Sequence, residues 1–323
     1  MAMNEFPSMV MQSPSLNPSP LLNRWQGARL GLLFEWRDGS SPSVTPNFWA
    51  SLCQKAGARY AVFSPSSQDE LSDEDANYFQ TVLSICARQN LLTGFSTTAA
   101  SVDLMSRWQH LEALQIAWTP PHDSVPSPKE GNEALFSNHR HRAAPDFLTL
   151  ERDMGEWLAP HAWETLDWLT LDPDDPLHSP MRSLRTLIHL LVRTAVRGGN
   201  LLLSVPVSSQ GVENRLQRRL EQLGNWLRLY GHTLYDTQAG PYPPQLWGGC
   251  TWRENCLYVH VLDWVDEEVT FPLPNGHIRK VTCLTAASVG IQRTPTTLSI
   301  RVPPEDQQEA DTIIEIEVDQ PWA

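Results

Sequence analysis

The sequence predicts an α/β fold built on a parallel sheet, followed by a small antiparallel β-sandwich. Two observations carry this. Apolar strand-like runs alternate with amphipathic helical stretches through roughly the first 235 residues. From about Pro241 the texture changes to short alternating runs separated by turns. A length of 323 residues fits two domains. The expected division is a disordered tail over 1–20, rich in Ser, Pro and Asn, an α/β domain over 21–240, and a sandwich over 241–323.

The elements follow in order. Ala28 to Trp36 is an apolar run ending in polar residues, the pattern of a buried strand that delivers side chains at its C-terminal end. Asn47 to Gly57 spaces Phe48, Leu52 and Ala56 as one helical face, with Gly57 as C-cap. Arg59 to Ser64 is a second strand, Asp75 to Gln89 a helix, Leu91 to Ser96 a third strand, Met105 to Leu111 a helix, and Leu114 to Trp118 a fourth strand. This repeated βα order fits an α/β barrel or an open α/β sheet. The proline-rich stretch 119–146 offers no readable element. Arg182 to Arg197 is an amphipathic helix and Asn200 to Pro206 a buried strand, with Leu201 and Leu203 expected to be nearly inaccessible. Val212 to Tyr230 is a long helix stopped by Gly231. Short β runs then follow at 256–264, 267–273, 278–285, 297–302 and 312–318.

Composition narrows the function classes. The formal net charge is −13, which opposes nucleic acid and anionic membranes but leaves neutral sugars unaffected. Five cysteines without CxxC spacing suggest buried thiols in a reducing compartment rather than disulfides or zinc. No signal peptide and no transmembrane run is read, so a soluble, cytoplasmic protein is expected. No dinucleotide, P-loop or GxSxG motif occurs, and no cofactor or metal is expected. The His/Arg run 139–142 reads as an exposed basic loop.

The segment Leu187-Ile188 through Gly198-Gly199-Asn200-Leu201-Leu202-Leu203-Ser204-Val205 resembles the α-L-fucosidase family of retaining glycoside hydrolases, in which a helix ends in Lys-Gly-Gly-Asn-Leu-Leu-Leu-Asn. Gly231 to Thr237, Cys256 to Trp264, and Arg29 to Trp36 are similar to further family segments. The resemblance implies a (β/α) barrel followed by a β-sandwich. With about 215 residues ahead of the sandwich, against about 250 for a complete barrel, the barrel is expected to be shortened or incomplete.

The resemblance also implies a site. The family's acid/base matches Glu151 and its substrate-side arginine matches Arg140. Trp163-Glu164-Thr165 resembles a family Trp-Glu-Thr, which makes Trp163 a substrate-binding candidate. The family's His-Trp-Gly is here Glu35-Trp36-Arg37, and its paired histidines fall near Gln68, leaving Glu35, Trp36 and Gln68 as sugar-binding candidates. At the nucleophile position the chain reads Trp118-Thr119, and the nearest carboxylate is Asp123. Hydrolysis needs two carboxyl groups in close opposition. The expected function is therefore fucosidase-like, with hydrolysis impaired or lost and a sugar-binding or scaffold role retained. The alternative is an active enzyme with a rearranged site, using Glu151 as acid/base and Asp123 as nucleophile. A scaffold role would use a surface formed by Trp247, Trp252 and Trp264.

Overall fold

Leu30–Trp36 (β1) is buried on both faces and pairs in parallel with Tyr60–Ser64 (β2) on one side and with Asn200–Val207 (β7) on the other. The computed structural model describes residues 20–36, 43–64, 73–96, 116–118, 135–137, 163–172, 175, 178–266, 268–273, 276–286 and 288–320. Beyond β2 the sheet continues through Leu92–Ser96 (β3), Ile116–Trp118 (β4) and Leu135–Ser137 (β5); beyond β7 lies Glu164–Trp168 (β6). The order β5-β4-β3-β2-β1-β7-β6 is all parallel. First and last strands are neighbours, which is the cyclic order of a barrel. Among the described residues seven strands lie in this order, and no pairing joins β5 to β6.

The two faces of the sheet are distinct. Leu30, Leu32, Phe34 and Trp36 of β1, with Leu201, Leu203 and Val205 of β7, pack under the helices Asn47–Ala56 (α2), Asp73–Arg88 (α3), Leu184–Ala195 (α4) and Asn214–Tyr230 (α5). Leu201 and Leu203 are fully buried, as expected. Leu33, Tyr60, Val62, Leu92 and Leu202 point the other way, into the barrel. There they meet Trp25 of the short helix Pro20–Gln26 (α1), which lies at the N-terminal end of the strands.

Two glycines allow close approaches. A Cβ on Gly31 would stand 2.1 Å from the Tyr60 ring, and one on Gly224 would stand 1.8 Å from the Lys55 carbonyl oxygen. The first lets Tyr60 cross the barrel interior; the second lets α5 lie directly against α2. Gly57 caps α2 in the left-handed region at φ 77°, as its position implied. Ser183 caps α4 through its hydroxyl, which accepts from the Thr186 N–H.

The N-terminal end of the barrel is held by Arg29. Its guanidinium is buried and donates to the carbonyls of Gly199, Leu234 and Thr237. Burial lowers its pKa to about 10, against a weaker opposing effect of Asp236.

The C-terminal part holds two antiparallel sheets. Gln238–Ala239 (β8), Gly248–Arg253 (β9), Cys256–Val261 (β10), Ile278–Cys283 (β12) and Thr312–Val318 (β15) form one, in the order β12-β15-β10-β9-β8. Glu268–Pro272 (β11), Gly290–Arg293 (β13) and Thr297–Arg301 (β14) form the other, in the order β11-β14-β13. Leu257, Val259 and Val261 of β10 face Val269, Phe271, Leu298 and Ile300 across the sandwich core. Trp247, Trp252 and Trp264 are half-buried against that same core, so they do not make the exposed surface a scaffold role would use.

The other face of the larger sheet meets α4. Gly249 lies against Val196, and Arg185 and Arg193 of the helix reach Asp263 at 2.8 and 3.2 Å. His260 and Asp311 form a fully buried pair at 2.7 Å.

Several strands are absent from the expected list: β5, β6, β8, β9 and β13. β9 begins Gly248-Gly249, with Gly248 at φ 148°, and those residues read as turn. β5 lies inside the stretch in which no element was readable. The expected helix 105–111 and the tail ahead of Pro20 lie outside the described residues.

Candidate active site

In a parallel barrel, ligands bind where the strands end C-terminally. At that end β1 contributes Glu35, β7 contributes Ser204 and β6 contributes Trp168. The pleat decides what each side chain faces. On β1, Leu33 points inward, and so does Glu35 two residues on; Trp36 therefore points outward. Ser204 follows Leu202 on the inner face of β7 and donates its hydroxyl hydrogen to Glu35 Oε2. Trp168 follows Leu166, which packs on the inner cluster, and stands in register with Ser204. Glu35 and Trp168 are half-buried, while Ser204 is fully buried beneath them.

The Trp168 backbone is clamped from the outer face. Its N–H donates to Asp167 Oδ1 at 2.6 Å, and its carbonyl accepts from Arg182 Nε at 2.8 Å. Arg182 Nη2 closes the clamp on Asp167 Oδ1 at 2.7 Å. Asp167 is 1% exposed, and its burial raises its pKa against the opposing pull of Arg182.

A second carboxylate, Glu164, also lies inside the barrel, but at the closed end. Tyr60 donates to its Oε2 at 2.5 Å across the interior. Burial raises the Tyr60 pKa, and the neighbouring Glu164 carboxylate adds to the shift. Glu164 and Trp168 are the two ends of β6, four residues apart, which is about 13 Å of strand rise. Glu164 thus lies at the opposite end of β6 from Trp168 and the barrel mouth.

Two of the sugar-binding candidates lie away from the mouth. Trp36 is 6% exposed, and its ring packs on Trp49, Phe63 and Phe79 at centroid distances of 5.3, 6.3 and 5.5 Å. It belongs to the helix-side core, because the residue after an inward one must point out. Trp163 precedes β6 at the N-terminal end of the barrel. Its ring covers Gly199, where a Cβ would be 2.5 Å away, and its Nε1 donates to the Arg197 carbonyl at 3.2 Å. It holds the closed end rather than the mouth. Gln68, Asp123, Arg140 and Glu151 lie outside the described residues. Glu35 alone of the expected site residues stands at the mouth in the described part of the chain.

Sequence reasoning missed Ser204 and Trp168. Ser204 carried a signal: it is the first polar residue after the apolar run Leu201-Leu202-Leu203. A groove of about 490 Å³ between α2 and α5, lined by Lys55, Glu221, Arg228 and Tyr235 among others, lies on the helix layer near the N-terminal strand ends and is no part of this site. Among the described residues no cluster of three His, Cys, Asp or Glu is placed to hold a metal ion, and no helix is long and apolar enough to cross a membrane.

The barrel order and the appended sandwich agree with the fold of solved structures. The alpha-L-fucosidase family model matches residues 106–232. Over that span the chain is similar to the alpha-L-fucosidase family. Plasma alpha-L-fucosidase of Homo sapiens is 30% identical over 117 residues, covering 33% of this chain and 25% of that protein. The protein from Pongo abelii matches equally, and the match spans about a quarter of the length of these curated relatives. Among solved structures, an alpha-L-fucosidase from Bacteroides thetaiotaomicron superposes with TM-score 0.72 at 14% identity, covering 98% of this chain and 99% of that one. The Thermotoga maritima alpha-fucosidase in complex with fucose gives TM-score 0.68 at 15% identity, covering 91% and 96%. At such identities these structures establish the fold.

Proposed function

We propose that this fucosidase-family protein binds a small carbohydrate of the fucose class at its barrel mouth, with hydrolysis impaired or lost. The observation that carries the reading is Glu35: it points into the mouth where the resemblance expects a histidine, and Ser204 holds its carboxylate. A carboxylate oxygen accepts hydrogen bonds and so suits sugar hydroxyls. The absence of a carboxylate at the nucleophile position, where Trp118-Thr119 stand, supports loss of turnover. The Thermotoga maritima structure, solved with fucose, supports the ligand class. We extend the proposal to the division of the chain into a barrel over 21–240 and a sandwich over 241–323. We extend it also to a reducing, cytoplasmic setting, which suits five free cysteines, four of them buried.

The test is a calorimetric titration with L-fucose beside hydrolysis of an aryl α-L-fucoside. Binding without turnover is the expected result. Robust turnover that Glu151→Gln abolishes at unchanged melting temperature would replace this reading with the active enzyme that uses Glu151 as acid/base and Asp123 as nucleophile. Neither binding nor turnover would sink the carbohydrate reading.

A further inference from the structure

We infer that Trp168 is a specificity-determining platform of the barrel mouth, on which the apolar face of a pyranose stacks while Glu35 reads its hydroxyl edge. The inference rests on the carbohydrate reading above and adds to it a residue that neither the motifs nor the family match singled out.

Three observations support it. First, Trp168, Ser204 and Glu35 occupy three adjacent strands, β6, β7 and β1. Trp168 is in register with Ser204, whose hydroxyl holds Glu35. A tryptophan and a glutamate thus stand on the strands either side of one buried hydroxyl. Second, the pleat directs Trp168 inward after Leu166, yet it is the last residue of β6 and stays half-buried rather than sealed in the core. Trp36, which likewise ends its strand, is instead enclosed by three aromatic rings. Third, the backbone of Trp168 is fixed on both sides, its N–H by Asp167 and its carbonyl by Arg182, with the Arg182–Asp167 pair closing the clamp. A platform held in this way loses little freedom when a ligand arrives.

The chemistry matches a sugar. A pyranose offers an apolar C–H face and a rim of hydroxyls. Indole is the largest aromatic face a protein has, and a carboxylate is a strong acceptor for hydroxyl hydrogens. Few precisely placed polar groups beside an apolar wall are the usual make-up of small-ligand sites. In this arrangement Arg182 and Asp167 are positioning residues, acting through the Trp168 backbone.

The test titrates the full chain with L-fucose, following heat and tryptophan fluorescence together, for the parent, Trp168→Ala and Trp168→Phe. The expected result is that Trp168→Ala weakens binding at least tenfold. Trp168→Phe should keep affinity within about threefold of the parent, because phenyl can still stack, while losing the fluorescence change that fucose causes in the parent. A purely structural role for the indole would not separate affinity from fluorescence. If the parent binds fucose and Trp168→Ala binds it equally well, the platform is overturned and the carbohydrate reading stands. If the parent binds no fucose, both fall. Should Trp168→Ala fail to fold, Trp168→Phe decides: a persisting fluorescence change overturns the proposal, and its loss with affinity retained upholds it.

Discussion

Replacing Gly31 by alanine places one methyl group where the barrel has no room. The new Cβ would lie 2.1 Å from the Tyr60 ring, whereas ordinary contact begins at 3.4 Å, so something must yield by about 1.3 Å. Tyr60 is poorly able to yield. It is fully buried, packs edge-on to Trp25 with centroids 6.4 Å apart, and is tied through its hydroxyl to Glu164 at 2.5 Å. Keeping that hydrogen bond forces overpacking, which costs about 1–3 kcal/mol. Giving it up strands a buried carboxylate's partner, at about 1.5–3 kcal/mol for a bond to a charged group. The cheaper route sets the cost, so Gly31→Ala should destabilise by about 1–3 kcal/mol. Urea unfolding followed by far-ultraviolet circular dichroism measures this. The decisive comparison is Gly31→Ala in a Tyr60→Leu background, where the clash is gone and the added cost of the methyl should shrink by at least about 1 kcal/mol. If Gly31→Ala shifts stability by less than about 0.5 kcal/mol, or if the two changes simply add, Tyr60 does not cross the barrel beside β1 as described.

Three further outcomes are expected. Leu203→Ala should cost about 2–5 kcal/mol in chemical denaturation by opening a cavity under the helix layer, and a much smaller shift would place β7 nearer the surface than it is. Arg182→Ala leaves Asp167, 1% exposed, without its cation and should cost about 3–5 kcal/mol, most of it recovered when Asp167→Asn is added; failure to recover would mean that Arg182 acts through something other than the pair. His189 should make stability fall on mild acidification. Burial lowers its pKa, with Arg185 and Arg193 adding to the shift against Asp263 and Asp311. The unfolded imidazole therefore takes its proton near pH 6.5 while the folded one still resists. Stability is level above that pH and declines below it until the folded group also protonates. His189→Gln should flatten this slope in melting-temperature scans from pH 7.5 to 5.5, and an unchanged slope would remove His189 as its source.

The strands and helices nearest the chain's apolar maxima were legible because several signals agree there. β7 reads as Asn-Leu-Leu-Leu-Ser-Val between a glycine pair and a proline, and both flanking helices show an apolar face and a cap. Boundaries moved by one to three residues, as fraying ends do. β9 was not legible, because its first two residues are glycines, Gly248 with a φ of 148° and Gly249 at a close contact. Gly249 has no side chain so that Val196, the C-cap of α4, can approach, with a Cβ there meeting Val196 at 3.0 Å. That requirement comes from a neighbour more than fifty positions away and leaves no local trace. The cyclic strand order was similarly remote: it shows in the pairing of β1 with β7, whose partners, such as Leu32 and Leu203, lie far apart in sequence.

The site was harder to read for a different reason, which β1 makes plain. A strand with one wet face announces its phase, because polar and apolar residues alternate. β1 is covered on both faces, so Leu30, Leu32 and Phe34 look no more or less interior than Leu33. A motif match can then name Glu35 and Trp36 as neighbours in a family pattern without saying which of them sees the ligand. Phase is fixed instead by partners in space: Tyr60, filling the gap left by Gly31, defines the inner face at one end, and Ser204, donating to Glu35, defines it at the other. Once that phase is known, Glu35 must face the mouth and Trp36 must not. The same alternation along β6, counted from Glu164 through Leu166, brings Trp168 to the mouth, and Trp163 lies at the far end of the strand. The indole that the mouth needs was thus present in the sequence, but on a strand whose phase only the folded barrel reveals.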